Sequence, residues 1–128
     1  MNKAIGLGLA MLSGIAIGAT AIDGLNAQVK SPGAYAIVDI SEITNAETFK
    51  QVSAKAGPAI ASGGGAFLAR TDNVLALEGA APKRVIIIGF DSVDKAKAWY
   101  ASPAQQEVNQ MLQSSSKGRL LVVEGLAK

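Results

Sequence analysis

The run Arg84-Val85-Ile86-Ile87-Ile88-Gly89-Phe90 is the strongest strand pattern in the chain, and it is apolar at successive positions rather than alternate ones. Its strength as a strand former places it at the centre of a sheet, and apolar side chains on both faces need cover on both. Leu120 to Val123 has the same character. In Ala34 to Ile40, Ala36, Val38 and Ile40 fill one face while Tyr35 and Ile37 fill the other.

Two helical patterns separate these strands. Thr44-Asn45-Ala46-Glu47 has the spacing of a capping box, and Phe49, Val52, Ala56 and Ile60 recur at helical intervals, predicting a helix from about Asn45 to Ala61. Pro58 is expected to kink or restart it. Gly63-Gly64-Gly65 reads as a terminator and turn rather than a phosphate cradle, because no helix start follows it. Ala66 to Arg70 reads as a strand and Thr71-Asp72-Asn73 as a turn. Val74 to Glu78 then resumes in extended form, as the second arm of a hairpin or the rest of one long bent strand.

Ser92 caps a helix carrying Val93, Ala96, Trp99 and Tyr100. Ser102-Pro103 restarts it, with proline at the first helical position, Gln105 three residues after the cap, and Val108, Met111 and Leu112 as an inward stripe. Gly118 is expected to stop this helix, leaving Arg119 to Glu124 as the last strand. The order is β-α-β-β-α-β over residues 34–126, a ferredoxin-like α+β domain with an antiparallel sheet and both helices on one face. Because the strands are apolar on their second face too, a second copy of the same sheet is the economical cover, and a homodimer is expected.

Residues before this domain read as an address. Met1-Asn2-Lys3 supplies a positive start, Ala4 to Ile22 is apolar or small, and both Ala19-Thr20-Ala21 and Leu25-Asn26-Ala27 offer a cleavage point. A signal peptide over residues 1–27, ending at 21 or 27, implies export to the periplasm or outside the cell, with the membrane met only in transit. The 12 basic and 10 acidic residues are scattered, apart from Lys83-Arg84, so no basic track is offered to nucleic acid. No cysteine or histidine is present, which removes thiol nucleophiles, imidazole bases and the commonest haem ligand, and no metal or other cofactor is expected.

From about Tyr35 to Gly125 the sequence resembles the family known as domain of unknown function 1330, within the dimeric α+β barrel superfamily. The stretches that carry the resemblance are Ala34-Tyr35, Pro58-Ala59-Ile60-Ala61, Gly64-Gly65-Ala66-Phe67-Leu68-Ala69-Arg70, Leu77-Glu78-Gly79, Pro82-Lys83-Arg84-Val85, Phe90 and Ala98-Trp99-Tyr100-Ala101-Ser102-Pro103. Ala104-Gln105 departs from the acidic residue and tyrosine with which that family usually continues its Ser-Pro motif. The resemblance implies protomers paired into a barrel with a pocket between sheet and helices. It implies no single reaction, since relatives by fold include cofactor-independent monooxygenases, lactone isomerases and haem proteins.

Candidate site residues follow from chemistry in apolar surroundings. Asp39 shares a strand face with Tyr35 and Ile37, and a carboxylate enclosed there would suit proton transfer. The plainer reading is a strand-end charge that reaches solvent or an arginine. Arg70, Glu78 and Arg84 interrupt apolar strands near turns, where they orient an anionic ligand or form structural ion pairs. Trp99, Tyr100 and Ser102 adjoin the helix break, as walls of a pocket with polar contacts or as core and cap. Asp39 and Tyr100 are the catalytic candidates, and Tyr35, Arg70, Glu78, Arg84, Trp99 and Ser102 the ligand-binding ones. Together they predict an exported pocket domain for a small apolar or aromatic molecule, oxidising or isomerising it without a metal. The other class is a structural or ligand-sequestering envelope protein.

Overall fold

A computed structural model describes residues 31–126, and the expected leader over residues 1–27 lies outside them. Strand β1 (Ala34–Ile43) runs antiparallel to β3 (Arg84–Phe90) on one side and to β4 (Ser116–Glu124) on the other, with β2 (Ala66–Thr71) beyond β3. Helix α1 (Ala46–Ser62) joins β1 to β2, and α2 (Val93–Ala101) and α3 (Pro103–Ser115) join β3 to β4. The sheet order β2-β3-β1-β4 is the ferredoxin-like one, and the run Arg84–Phe90 lies inside the sheet as expected.

Period-two alternation divides β1 between two environments. Ala34, Ala36, Val38 and Ile40 are buried, whereas Tyr35, Ile37 and Asp39 are half-buried on the other face. The helix side forms the core, where Ala36, Ile88 and Phe90 meet Ile60 of α1 and Ala96 and Trp99 of α2. The Phe90 and Trp99 ring centroids are 5.1 Å apart. Val52 and Ala59 of α1 pack against Val108 of α3, and Lys55 Nζ joins Glu107 Oε2 across the exposed side of that contact at 2.9 Å.

The structure differs from the sequence-based expectations at four places. Val74–Glu78 is neither a hairpin arm nor a continued strand: β2 ends at Thr71, and Leu75 and Leu77 stand 82% and 87% exposed in an irregular connection. From Asp72 to Lys83 the chain runs without strand pairing to the start of β3, so the segment does not add to the free outer edge of β2. Helix α1 is not restarted at Pro58 but runs on to Ser62, and Ala54, whose carbonyl loses its usual N–H donor, is exposed to water. Its cap is Asn45, which accepts from Thr48 N at 3.1 Å, while Thr44 N donates instead to the Ser115 carbonyl. Gly118 lies within β4 and does not end α3, which stops at Ser115.

Two glycines are fixed by geometry. Gly64, after α1, has φ +83°, and Gly65 N closes the helix end on the Ile60 carbonyl at 2.9 Å. At Gly118 a Cβ would lie 2.2 Å from the Asp39 carbonyl oxygen, where β4 crosses the irregular register of β1 around Ser41.

No helix of the described residues covers the second sheet face, and none is long and apolar enough to cross a membrane. Ile37 stands at the centre of that face, paired with Ile87 on β3 and Leu121 on β4. Leu68, Leu121 and Val123 extend the face and are 52%, 39% and 40% exposed.

Candidate functional site

Two spaces open between the sheet and its helices, and a third, of about 610 Å³, lies where α1, α2 and α3 meet, against Ser62, Asp94, Lys95, Trp99, Ser102 and Pro103. An inner cavity of about 40 Å³ lies beneath α1 and α3, walled by Phe49, Val52, Ile60, Phe67, Trp99 and Val108. A cleft of about 190 Å³ opens between α3 and the β1–β4 edge, against Val38, Ile40, Tyr100, Leu112 and Leu120. Val38, Leu112 and Leu120 line both and form the partition between them. A dry cavity of roughly 150 Å³ accommodates benzene, so the cleft is large enough for one ring and the inner cavity is not.

The inner cavity is mostly apolar, whereas Asn109, Gln113, Ser116 and Arg119 also line the cleft, and some polar atoms of the lining residues have no protein partner. Arg84 Nε, Trp99 Nε1 and Gln105 Oε1 are buried and unpaired, and all three residues line the inner cavity. Asn109 Nδ2 is buried and unpaired at the cleft. Buried polar groups in folded proteins are ordinarily hydrogen-bonded, and each one left unpaired costs about 1–3 kcal/mol. Each of the four atoms is closed off even from water, so these residues line the two spaces with their other atoms.

Trp99 lines the inner cavity and Tyr100 the cleft. Trp99 is 2% exposed, serves both core and cavity wall, and stands edge-on to Tyr100, with ring centroids 6.3 Å apart. Arg84, with its side chain only 19% exposed, forms an ion pair with Asp72 at the end of the cavity. Arg70 also reaches the cavity, with its guanidinium carbon 4.5 Å from the centroid of the Phe67 ring. A bulge between Phe67 and Ala69 is what turns Phe67 and Arg70, an odd number of residues apart, to the same face.

Other candidates lie elsewhere. Asp39 is on the open face, its Oδ2 3.5 Å from Arg119 Nε, so the sheet separates it from Tyr100 and the two cannot act as a pair. The physical reason is the alternation of β1, which buries Val38 and Ile40 under the helices and turns Asp39 away. Tyr35 shares that open face and lines neither space. Glu78 is exposed in the connection before β3 and has no ion pair among the described residues. Ser102 Oγ donates to the Trp99 carbonyl at 2.7 Å and accepts from Gln105 N at 3.3 Å, which is the work of a cap.

Gln105 and Asn109 were not singled out from the sequence as site residues. The signal was present in the inward stripe of α3, where Gln105, Val108, Asn109 and Leu112 recur at i, i+3, i+4 and i+7 with two amides among the apolar side chains. No group of three or more histidine, cysteine, aspartate or glutamate residues able to hold a metal ion occurs among the described residues.

The sequence pattern of the family described as Domain of unknown function (DUF1330) matches residues 33–126. The chain belongs to the DUF1330 family. Its fold is similar to that of a protein of unknown function from Rhodopseudomonas palustris, at 16% identity over 85% of this chain and 94% of that one, with a TM-score of 0.62. It is also similar to SnoaB, a cofactor-independent oxygenase from Streptomyces nogalater, at 15% identity over 77% of this chain and 97% of that one, TM-score 0.55. A dimeric ferredoxin-like protein of unknown function from Thermobifida fusca matches at 15% identity over 74% and 92%, TM-score 0.52. No curated protein matches the chain. At these identities the solved structures establish the fold of this DUF1330 chain and leave its chemistry to its own residues.

Proposed function

We propose that this DUF1330 chain is an exported homodimeric protein that binds a small apolar or aromatic molecule between its sheet and helices. The observation that carries the binding reading is the cleft of about 190 Å³ between α3 and the β1–β4 edge, large enough for one ring and walled in part by Val38, Ile40, Leu112 and Leu120. The leader pattern of residues 1–27 supports export. The uncovered apolar face around Ile37 supports pairing, in keeping with the description of the Thermobifida fusca protein as dimeric.

Metal-free oxidation or isomerisation of the bound molecule is the catalytic form of this reading, supported by a fold shared with a cofactor-independent oxygenase. Sequestration without conversion is favoured by a different observation: among the described residues no carboxylate lines the cavity or the cleft, and Asp94 lines only the outer space where the helices meet.

Native mass spectrometry of the protein purified from its own envelope fraction tests these statements together. The expected result is an N-terminus just after residue 21 or 27, a dimeric mass and a retained small organic adduct. Incubating the protein with that compound in air and without oxygen separates the two forms, because conversion changes the compound's mass or isomer and sequestration returns it unchanged. An uncleaved chain overturns export, a monomer overturns pairing, and a protein free of adduct that binds no aromatic probe overturns the pocket.

A further inference from the structure

The connection between β2 and β3 is an arm with a fixed base and two leucines in water. Asp72 and Arg84 close its base with an ion pair, and Lys83 N donates to the Ile40 carbonyl at 2.8 Å. Asn73 N donates to Thr71 Oγ1 at 2.9 Å, and Gly79 turns the chain at φ +78°. Leu75 and Leu77, two residues apart, both stand exposed. Among the described residues, no backbone group from Leu75 to Pro82 bonds to another backbone group. The far edge of the sheet has the opposite lack. β4 pairs only with β1, so its outer edge is free, and Leu121 and Val123 stand half exposed two residues apart on its open face.

We propose that Val74–Glu78 becomes a strand against the outer β4 edge of a second copy of this chain, and that Glu78 thereby completes the second copy's cleft. A two-fold axis along the sheet diagonal crosses the two open faces at near right angles. It lays the β4 edge of each copy across that end of the other sheet where β2 stops and the arm begins. Antiparallel pairing then sets Leu75 opposite Val123 and Leu77 opposite Leu121, four apolar side chains on one face. The same register sets Glu78 opposite Leu120, beside Arg119, and both of those residues line the cleft. By alternation Glu78 faces the helix side, where Leu120 packs against the core. Parallel pairing would instead set Glu78 against Glu124, like charge against like. Among the described residues the cleft has no carboxylate of its own, so each site takes one from the other copy.

This inference rests on the proposed homodimer and fails separately from it. The chain has no cysteine, so a pair of introduced cysteines reports a single contact. Leu77→Cys/Leu121→Cys in the full processed protein is expected to oxidise to a covalent dimer on a non-reducing gel, with the bridged peptides identified by mass spectrometry. Leu77→Cys/Val123→Cys, which tests the parallel register, is expected to bridge about tenfold more slowly, because a disulfide forms only between closely facing Cβ atoms. Leu75→Asp/Leu77→Asp alters only side chains that a single copy leaves exposed, so the wild-type circular dichroism spectrum is expected to stay. Its dimer dissociation constant, read by sedimentation, is expected to rise about a hundredfold or more, the size of two leucines lost from an interface.

A dimeric wild type whose Leu77→Cys/Leu121→Cys variant forms no bridge, or bridges within one chain, overturns the arm and leaves the homodimer standing. So does a Leu75→Asp/Leu77→Asp protein that dimerises as tightly as the wild type. Faster bridging in the parallel-register variant overturns the placement of Glu78 at the cleft. A monomeric wild type by light scattering overturns the homodimer itself.

Discussion

Gly118 carries its constraint in a place that no local pattern marks. In the sequence it looks like a helix terminator between Ser115 and the last strand, whereas in the fold it is where β4 passes closest to the β1 backbone. A Cβ there would lie 2.9 Å from Ile40 Cα as well as 2.2 Å from the Asp39 carbonyl oxygen, and backbone cannot swing aside as a side chain can. Gly118→Ala is expected to destabilise the protein by about 1–3 kcal/mol, measured as a lower urea midpoint. Trp99 was legible as a core residue because it sits on an apolar helical stripe. Its unpaired indole N–H was not, because hydrogen-bond satisfaction depends on neighbours from other parts of the chain.

Helix boundaries were readable where a cap or a proline set them. The sequence reading of Ser92 as the cap of α2 and of Ser102-Pro103 as the start of α3 agrees with the structure. Ser102→Ala removes the acceptor for Gln105 N and the donor to the Trp99 carbonyl, and about 1 kcal/mol of stability is expected to go with them. In the same chemical-denaturation series, ligand affinity should stay near wild type, which separates a capping serine from a nucleophile. Capping is decided within one turn of chain, so the sequence came within one residue even at α1, where Asn45 rather than Thr44 is the cap. Val74–Glu78 is the contrary case, since its β-forming residues become a strand only by pairing with the free outer edge of β2 or β4, and neither takes them within one copy of the chain.

At the scale of the whole molecule, the two sheet faces have different fates. One is closed by α1, α2 and α3, and the other presents Ile37, Ile87, Leu121 and Val123 with nothing from the described chain over them. Burying such a face against its own copy removes apolar area from water at about 25 cal/mol per Å². Ile37→Lys places a charge at the centre of that face and is expected to convert a dimer to a folded monomer. Size-exclusion chromatography with light scattering checks this, and a dimer that persists would place the pairing surface elsewhere. The unpaired polar atoms belong to the other face, so this variant is expected to keep its pocket.

Order of elements, centrality of the Arg84–Phe90 strand, the apolar second face and the absence of thiol and imidazole chemistry were all determined by the sequence alone. Each depends on side-chain type and spacing along a few consecutive residues. Tertiary structure alone decided that Asp39 and Tyr100 lie on opposite sides of the sheet, that Arg84 pairs with Asp72 rather than Glu78, and that two amides of α3 straddle a partition between a cavity and a cleft. Those facts are distances between segments far apart in the chain. A period of two or of 3.6 tells which way a side chain faces, and only packing tells what it meets there.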